Sequence, residues 1–227
     1  MKKILLILPV LAFLVLTGAA CTQGRVATED LTETTPTDVV PVVQVVKDLP
    51  AGSYQADLAK SRLGWFSTKL VSNAHPGVID IKSGNLVMEN GLLIGGEFVV
   101  DMTTMRDIDN NEKLIAHIKS ADFFDVEKYP ESKFVITEAK LLSDHNDGSA
   151  RYKLVGDLTI KEKTNSIEFD ALLTAVDNEL IGTAKFSIDR TKWDLTYGSG
   201  QFFKELGDKA IKDNIDYDIS LVTKLAQ

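Results

Sequence analysis

Apolar and polar residues alternate with a period of two through most of the chain after about residue 50, and this alternation restricts the fold more than any other feature of the sequence. Along Tyr152-Lys153-Leu154-Val155-Gly156-Asp157-Leu158-Thr159-Ile160-Lys161 the even positions are largely apolar and most odd ones polar. The same parity sets Ile167, Phe169, Ala171 and Leu173 against Glu168, Asp170 and Thr174, and Ala184, Phe186 and Ile188 against Thr183, Lys185, Ser187 and Asp189. It returns in Ile215, Tyr217, Ile219 and Leu221, and in Phe98, Val100 and Met102. Successive side chains of a strand point to opposite faces, so this period marks sheet with one face in a core. Ser83-Gly84-Asn85, Asn90-Gly91, Asn146-Asp147-Gly148 and Asp177-Asn178 stand between apolar runs as turn signals, and such residues supply the positive φ of tight hairpins. The expectation is all-β: about eight antiparallel strands, closed into a barrel that leaves no exposed edges.

Residues 110–120 depart from the pattern. Leu114, Ile115 and Ile118 fall at helical spacing and predict a short amphipathic helix starting near Asp109, followed by the aromatic-rich stretch 121–130. A second short helix is expected near residues 202–206. Residues 22–50, rich in Thr, Val, Asp, Glu and Pro, bury too little apolar surface to offset their ordering entropy and read as a tether, leaving 51–227 as the folded domain. Within the tether, residues 39–46 are valine-rich; Pro41 limits them to an edge strand, an edge that would also suit a homodimer.

The start of the chain reads as an address. Met1, Lys2 and Lys3 precede an apolar run, residues 4–16, broken only by Pro9. That run is shorter than the roughly 20 apolar residues a bilayer crossing needs, and it suits the core of a signal peptide spanning 1–20. Gly18, Ala19 and Ala20 lead directly to Cys21, the single cysteine of the chain. The junction resembles a bacterial lipobox, with Gly18 where leucine is usual. The resemblance implies acylation of Cys21 and a membrane anchor, and Thr22 in place of aspartate favours the outer membrane. The rival reading is ordinary cleavage after Ala20, with Cys21 left as a free thiol. One cysteine excludes an internal disulfide and a cysteine-rich zinc site. With 25 Lys+Arg against 33 Asp+Glu and no basic run, the charge balance argues against nonspecific nucleic-acid binding.

Several motifs occur in order between about residues 53 and 225: Gly77-Val78-Ile79-Asp80-Ile81-Lys82-Ser83-Gly84, Gly95-Gly96-Glu97-Phe98-Val99-Val100-Asp101-Met102, the long stretch 113–130 containing His117-Ile118-Lys119-Ser120-Ala121-Asp122-Phe123-Phe124, Gly156-Asp157-Leu158-Thr159-Ile160-Lys161, and Asp189-Arg190-Thr191-Lys192-Trp193. Together they resemble the YceI-like, polyisoprenoid-binding family. Glu162 departs from it, standing where glycine usually follows the Leu-Thr-Ile-Lys motif. The resemblance implies a lipocalin-like, eight-stranded antiparallel barrel with one or two short helices, facing the periplasm. Its interior would hold a polyprenyl lipid, an isoprenoid quinone or a fatty amide, with no cofactor and no catalytic group. An eight-stranded barrel is wide enough to be filled by side chains or to hold one slender ligand.

The inward-parity residues Trp65, Phe98, Val100, Met102, Phe134, Ile136, Leu154, Leu158, Phe169, Leu173, Phe186, Ile188, Tyr217 and Ile219 are the candidate ligand lining; singly, each also suits ordinary core packing. Met102 and Met105 suit a flexible chain. Residues 114–129 are either a lid over the barrel mouth, gated by Phe123 and Phe124, or a fixed plug. His75, His117 and Arg190 are candidates for a lipid head group, Arg190 through its bidentate fork, as are Lys69, Arg106 and Lys119 by charge. The histidines lack metal-ligand spacing, and Asp107-Ile108-Asp109-Asn110-Asn111-Glu112 fails as a calcium loop because Glu112 holds the required glycine position. An enzyme acting on an isoprenoid lipid, or a filled barrel serving as an interaction module, are the alternatives to a lipid carrier.

Overall fold

The computed structural model describes residues 43–44, 48–67, 75–145 and 147–226; the signal segment 1–20, Cys21, Lys69 and most of the expected tether lie outside the described residues. In chain order the strands are β1 (Val43–Gln44), β2 (Gly52–Ala56), β3 (Arg62–Ser67), β4 (His75–Glu89), β5 (Leu92–Asp107), β6 (Glu131–Asp144), β7 (Ser149–Ile160), β8 (Lys163–Val176), β9 (Glu179–Asp189) and β10 (Asn214–Leu225). One α-helix, α1 (Glu112–Lys119), joins β5 to β6. From β4 to β10 each strand pairs antiparallel with the next. β2 and β3 both lie between β10 and β4, as two pieces of one interrupted stave. The result is a closed eight-stave antiparallel barrel.

Two-residue turns make the closure local. Asn90-Gly91 joins β4 to β5 and Asp177-Asn178 joins β8 to β9, all four residues at positive φ. Lys161 and Glu162 adopt the same conformation, at φ 50° and 60°, so the β7–β8 hairpin keeps its two-residue form without glycine and carries the backbone strain instead. Ser83-Gly84-Asn85, expected as a turn, lies inside the long β4, where the register with β5 shifts between Ile81 and Ser83. Glycine in a strand interior marks a bulge or a close approach, and here it marks both. A Cβ on Gly84 would lie 2.2 Å from the Phe98 ring, and one on Gly77 would lie 2.1 Å from the Trp65 indole. Large rings lie flat over the bare backbone of neighbouring strands and fill the barrel from its wall.

At one end of the barrel Leu49, Tyr54, Met88, Leu93, Tyr152 and Leu180 form a closed core. Leu49 is only 4% exposed, and β1 pairs with Val176 and Ala175 of β8, so packing begins ahead of residue 51 and part of the valine-rich edge is taken up within the chain. The other end is covered by α1 and its loop. The helix starts at Glu112 rather than near Asp109: Asn111 caps it by accepting from Leu114 N at 3.1 Å, and Asp107 accepts from Asn111 N at 3.0 Å. Phe123, Phe124 and Val126 are buried, and Phe124 N and Val126 N donate back to Ile118 O and Lys119 O. Lys161 Nζ donates to Phe123 O at 2.8 Å and pins this loop to the β7–β8 turn. Residues 202–206 form turns rather than a second helix, with a short 3-10 segment following at Gly207–Lys209. Only one turn is closed there, Ser199 O accepting from Phe202 N and Phe203 N and the Ser199 hydroxyl from Gln201 N, and it is not continued past Phe203.

Candidate functional site

Inside the barrel is an apolar chamber with a cavity volume of about 140 Å³. Among the described residues, Gly182 and twenty-five side chains from β3 to β10 and the α1 loop line it; none of these is charged, and only Ser132, Thr183 and Tyr217 carry a side-chain hydroxyl. One wall is a row of rings from four strands that spans β6 to β10, Phe134 lying over Gly156 of the intervening β7. Phe134 meets Phe169 at 5.6 Å between centroids, Phe169 stacks on Phe186 at 4.2 Å, and Phe186 lies 5.5 Å from Tyr217. The row follows from parity, since these residues share the inward face of β6, β8, β9 and β10, and neighbouring inward side chains pack against each other. Apolar surroundings push the Tyr217 phenol well above its ordinary value, so it serves as a neutral hydroxyl.

A second, wider cavity of about 820 Å³ lies at the helix-covered end. Its lining mixes Trp65, Met105, Leu114 and Phe203 with Ser67, His75, Asn111, Lys113, His117, Arg190 and Lys209. Ile79, Phe124 and Tyr217 line both spaces and so stand at the boundary between chamber and mouth. In the wall of the mouth His117 packs edge-on against Phe123 at 5.2 Å and Tyr197 at 4.7 Å.

All the expected lining residues except Trp65 and Ile188 face the inner chamber. Trp65 lines the mouth, and Ile188 is buried in the core beside it without lining either space. Among the residues the sequence reading omitted are Leu63, Ile79, Ile81, Leu86, Leu93, Ala171 and Ala184. Ile79 and Ile81 alternate legibly, but the bulge at Ser83 reverses parity, so Leu86 and Met88 point inward from even positions and the β4 pattern reads as irregular.

His75 and His117 line the mouth. Arg190 does not present a free fork. It is 1% exposed; Nε donates to Lys212 O at 3.1 Å, Nη1 to Leu195 O, and Nη2 to Ile211 O and Asp213 Oδ1 at 3.3 Å each. Four of its five N–H groups are therefore committed to the chain, and bidentate ligand contact is not available. Burial pulls the guanidinium below its ordinary value while Asp213 and Asp189 oppose the shift, and it stays a cation. Lys119 donates to Thr103 O, Arg106 pairs with Asp80 at 2.9 Å, and His145 sits by Ser143 in an exposed turn; none of the three joins the site.

The sequence pattern of the YceI-like domain matches residues 54–223. The chain belongs to the YceI-like family. Among curated relatives, a UPF0312 protein of Pseudomonas putida strain W619 is 30% identical over 138 residues, which is 61% of this chain and 67% of the relative. The Burkholderia cenocepacia protein BcnA shares this YceI-like fold with a TM-score of 0.61 at 19% identity, over 74% of this chain and 98% of its own. A polyisoprenoid-binding domain from Saccharophagus degradans superposes with a TM-score of 0.60 at 11% identity, over 78% of this chain and all of that one.

Proposed function

We propose that this YceI-like protein binds an isoprenoid or similar long-chain lipid, with the chain in the inner chamber and the head group in the mouth, and holds or carries it at the bacterial cell envelope. The observation that carries the reading is the uncharged chamber bordered at Ile79, Phe124 and Tyr217 by a polar mouth that Lys113, Lys209 and Arg190 help to line. A dry apolar cavity of about 150 Å³ is known to take a benzene-sized group, so the resting chamber accepts roughly one or two isoprene units and a longer chain must extend into the mouth or part the boundary side chains. Each buried methylene contributes about 0.8 kcal/mol, so ten carbons give roughly 8 kcal/mol gross, against which the cost of association must be set. Contact of this kind needs no catalytic group. The name of the Saccharophagus neighbour supports polyisoprenoids as the ligand class, and quinones and fatty amides share the required shape. An acylated Cys21, following the lipobox-like junction, would keep the barrel at the membrane from which the lipid comes, with the outer membrane as the favoured site.

The test is thermal denaturation with added prenyl alcohols of increasing length. A ligand at about 100 times its Kd stabilises by roughly 2.7 kcal/mol, which for a domain of this size raises Tm by about 5–11 °C. Stabilisation growing with chain length supports the reading, and no shift at any length contradicts it.

A further inference from the structure

We propose that one buried water bridges the Trp65 indole N–H and the Asp107 carboxylate, and that this bridge holds the start of α1 against the barrel wall; it stands whether or not a lipid enters the barrel. Among the described residues, two buried side-chain atoms lack a hydrogen-bond partner, Trp65 Nε1 and Asp107 Oδ1. One can only donate, and the other is a carboxylate oxygen that accepts. Both residues are 4% exposed, and buried polar atoms are nearly always satisfied. Strand register brings the two together. Trp65 pairs with Gly77 between β3 and β4, and Gly77 pairs with Asp107 between β4 and β5, so the three form one row across three strands. Residues directly opposite share a face, and both flanking members of this row are buried.

Because Gly77 has no side chain, the indole reaches across β4 over bare backbone, and its Nε1 lies 2.4 Å from where a Cβ on Gly77 would stand. Opposite positions hold their Cβ atoms about 4.5–5.5 Å apart, and a water making two hydrogen bonds of about 2.8–3.0 Å spans about 5 Å. The nitrogen over Gly77 and the carboxylate beside it therefore fall within one water's reach, and they make no direct bond. The chemistry selects the occupant. The N–H disfavours a cation and the carboxylate disfavours an anion, which leaves a neutral molecule that accepts and donates at once. Water is the smallest of these, and buried waters serve such otherwise unpaired groups.

The consequence lies at the cover of the barrel. The other Asp107 oxygen, Oδ2, accepts from Asn111 N at 3.0 Å, and Asn111 caps α1 by accepting from Leu114 N at 3.1 Å. Ile108 N donates to Pro76 O at 2.9 Å, beside Gly77. Tying Oδ1 to Trp65 fixes the rotation of the carboxylate, and with it the acceptor that Asn111 meets. Trp65 is thus a positioning residue for α1, although β4 separates its strand from that of Asp107.

The test begins with a crystal structure of the delipidated whole protein, in which an ordered water within about 3.2 Å of both atoms is expected. A direct bond between the two, no density between them, or density only in the lipid-loaded protein overturns the bridge. Amide hydrogen exchange followed by NMR reads the consequence. Trp65→Phe keeps a ring over Gly77 and removes the donor; exchange at the Asn111 and Leu114 amides should speed about tenfold, while amides of β7 and β8 keep the parent rate. In an Asp107→Leu background the same substitution should add less than about threefold, because the bridge is already gone. Equal acceleration in both backgrounds, acceleration spread equally through β7 and β8, or none at either α1 amide overturns the role of Trp65 at the helix.

Discussion

Replacing Arg190 by methionine separates a structural role from a ligand role. In the structure this guanidinium ties the segment after β9 together: it reaches Leu195 O on one side and Ile211 O, Lys212 O and Asp213 on the other. Methionine keeps much of the apolar stem and loses every donor. Three carbonyls then lack their partner, and Asp213 loses its cation. An unsatisfied buried acceptor costs about 1–3 kcal/mol and breaking a buried pair about 3–5 kcal/mol; because these act on one cluster they do not add, and roughly 3–5 kcal/mol is the expected loss. For a domain of 150–250 residues each kcal/mol moves Tm by about 2–4 °C, so the ligand-free variant should melt about 6–20 °C lower by circular dichroism. Lysine at the same place restores charge without the fork and should recover less than half of the loss. A ligand-free Tm within about 2 °C of the parent, combined with lost lipid affinity, would show that Arg190 serves the ligand and would refute the clasp.

Other outcomes follow from other parts of the barrel. Ala184, whose side chain lines the chamber, becomes an obstruction in Ala184→Phe; lipid affinity should fall at least about tenfold while the far-ultraviolet spectrum is unchanged, measured by titration with a prenyl alcohol. Gly77→Val would drive the Trp65 indole off the β4 backbone, so Trp emission should shift and stability fall by about 1–3 kcal/mol, read in one denaturation series. Replacing Glu162 alone by Gly relieves one strained left-handed residue while keeping the Lys161 bond to Phe123 O, and should raise stability by about 1 kcal/mol, read by denaturant unfolding. Glu179 is held below the ordinary carboxylate range by hydrogen bonding to Lys60 at 2.7 Å, which outweighs the opposing effect of burial, with Lys224 at 3.2 Å adding to it. A depressed pKa contributes stability above the unfolded value and loses it as pH falls through the folded one. The Tm difference between the parent and Glu179→Gln should therefore be full above about pH 5 and vanish at lower pH.

The barrel was legible because period-two alternation survives wherever strands run without interruption, as in β7, β8 and β10. It failed where a bulge reversed parity, as at Ser83 in β4, and where glycine stood beneath a ring instead of in a turn, as at Gly84. The lining of the chamber was readable as a set, since inward parity is shared, but its extent into Ala171 and Ala184 was not, because small residues look alike in a solid core and beside a cavity. Arg190 shows the opposite limit: residue type suggested a ligand fork, and only the placement of three carbonyls around it shows what occupies that fork.

Lipid binding requires a lipid chain to occupy the barrel. The protein should be purified from a bacterial host without added lipid, extracted with organic solvent, and the extract weighed against protein by mass spectrometry, with Ala184→Phe processed in parallel. A prenyl or other long-chain lipid is expected near one per barrel in the parent and is expected to be lost in the variant. An empty extract, or the same lipid recovered equally from both proteins, would contradict lipid binding in the barrel.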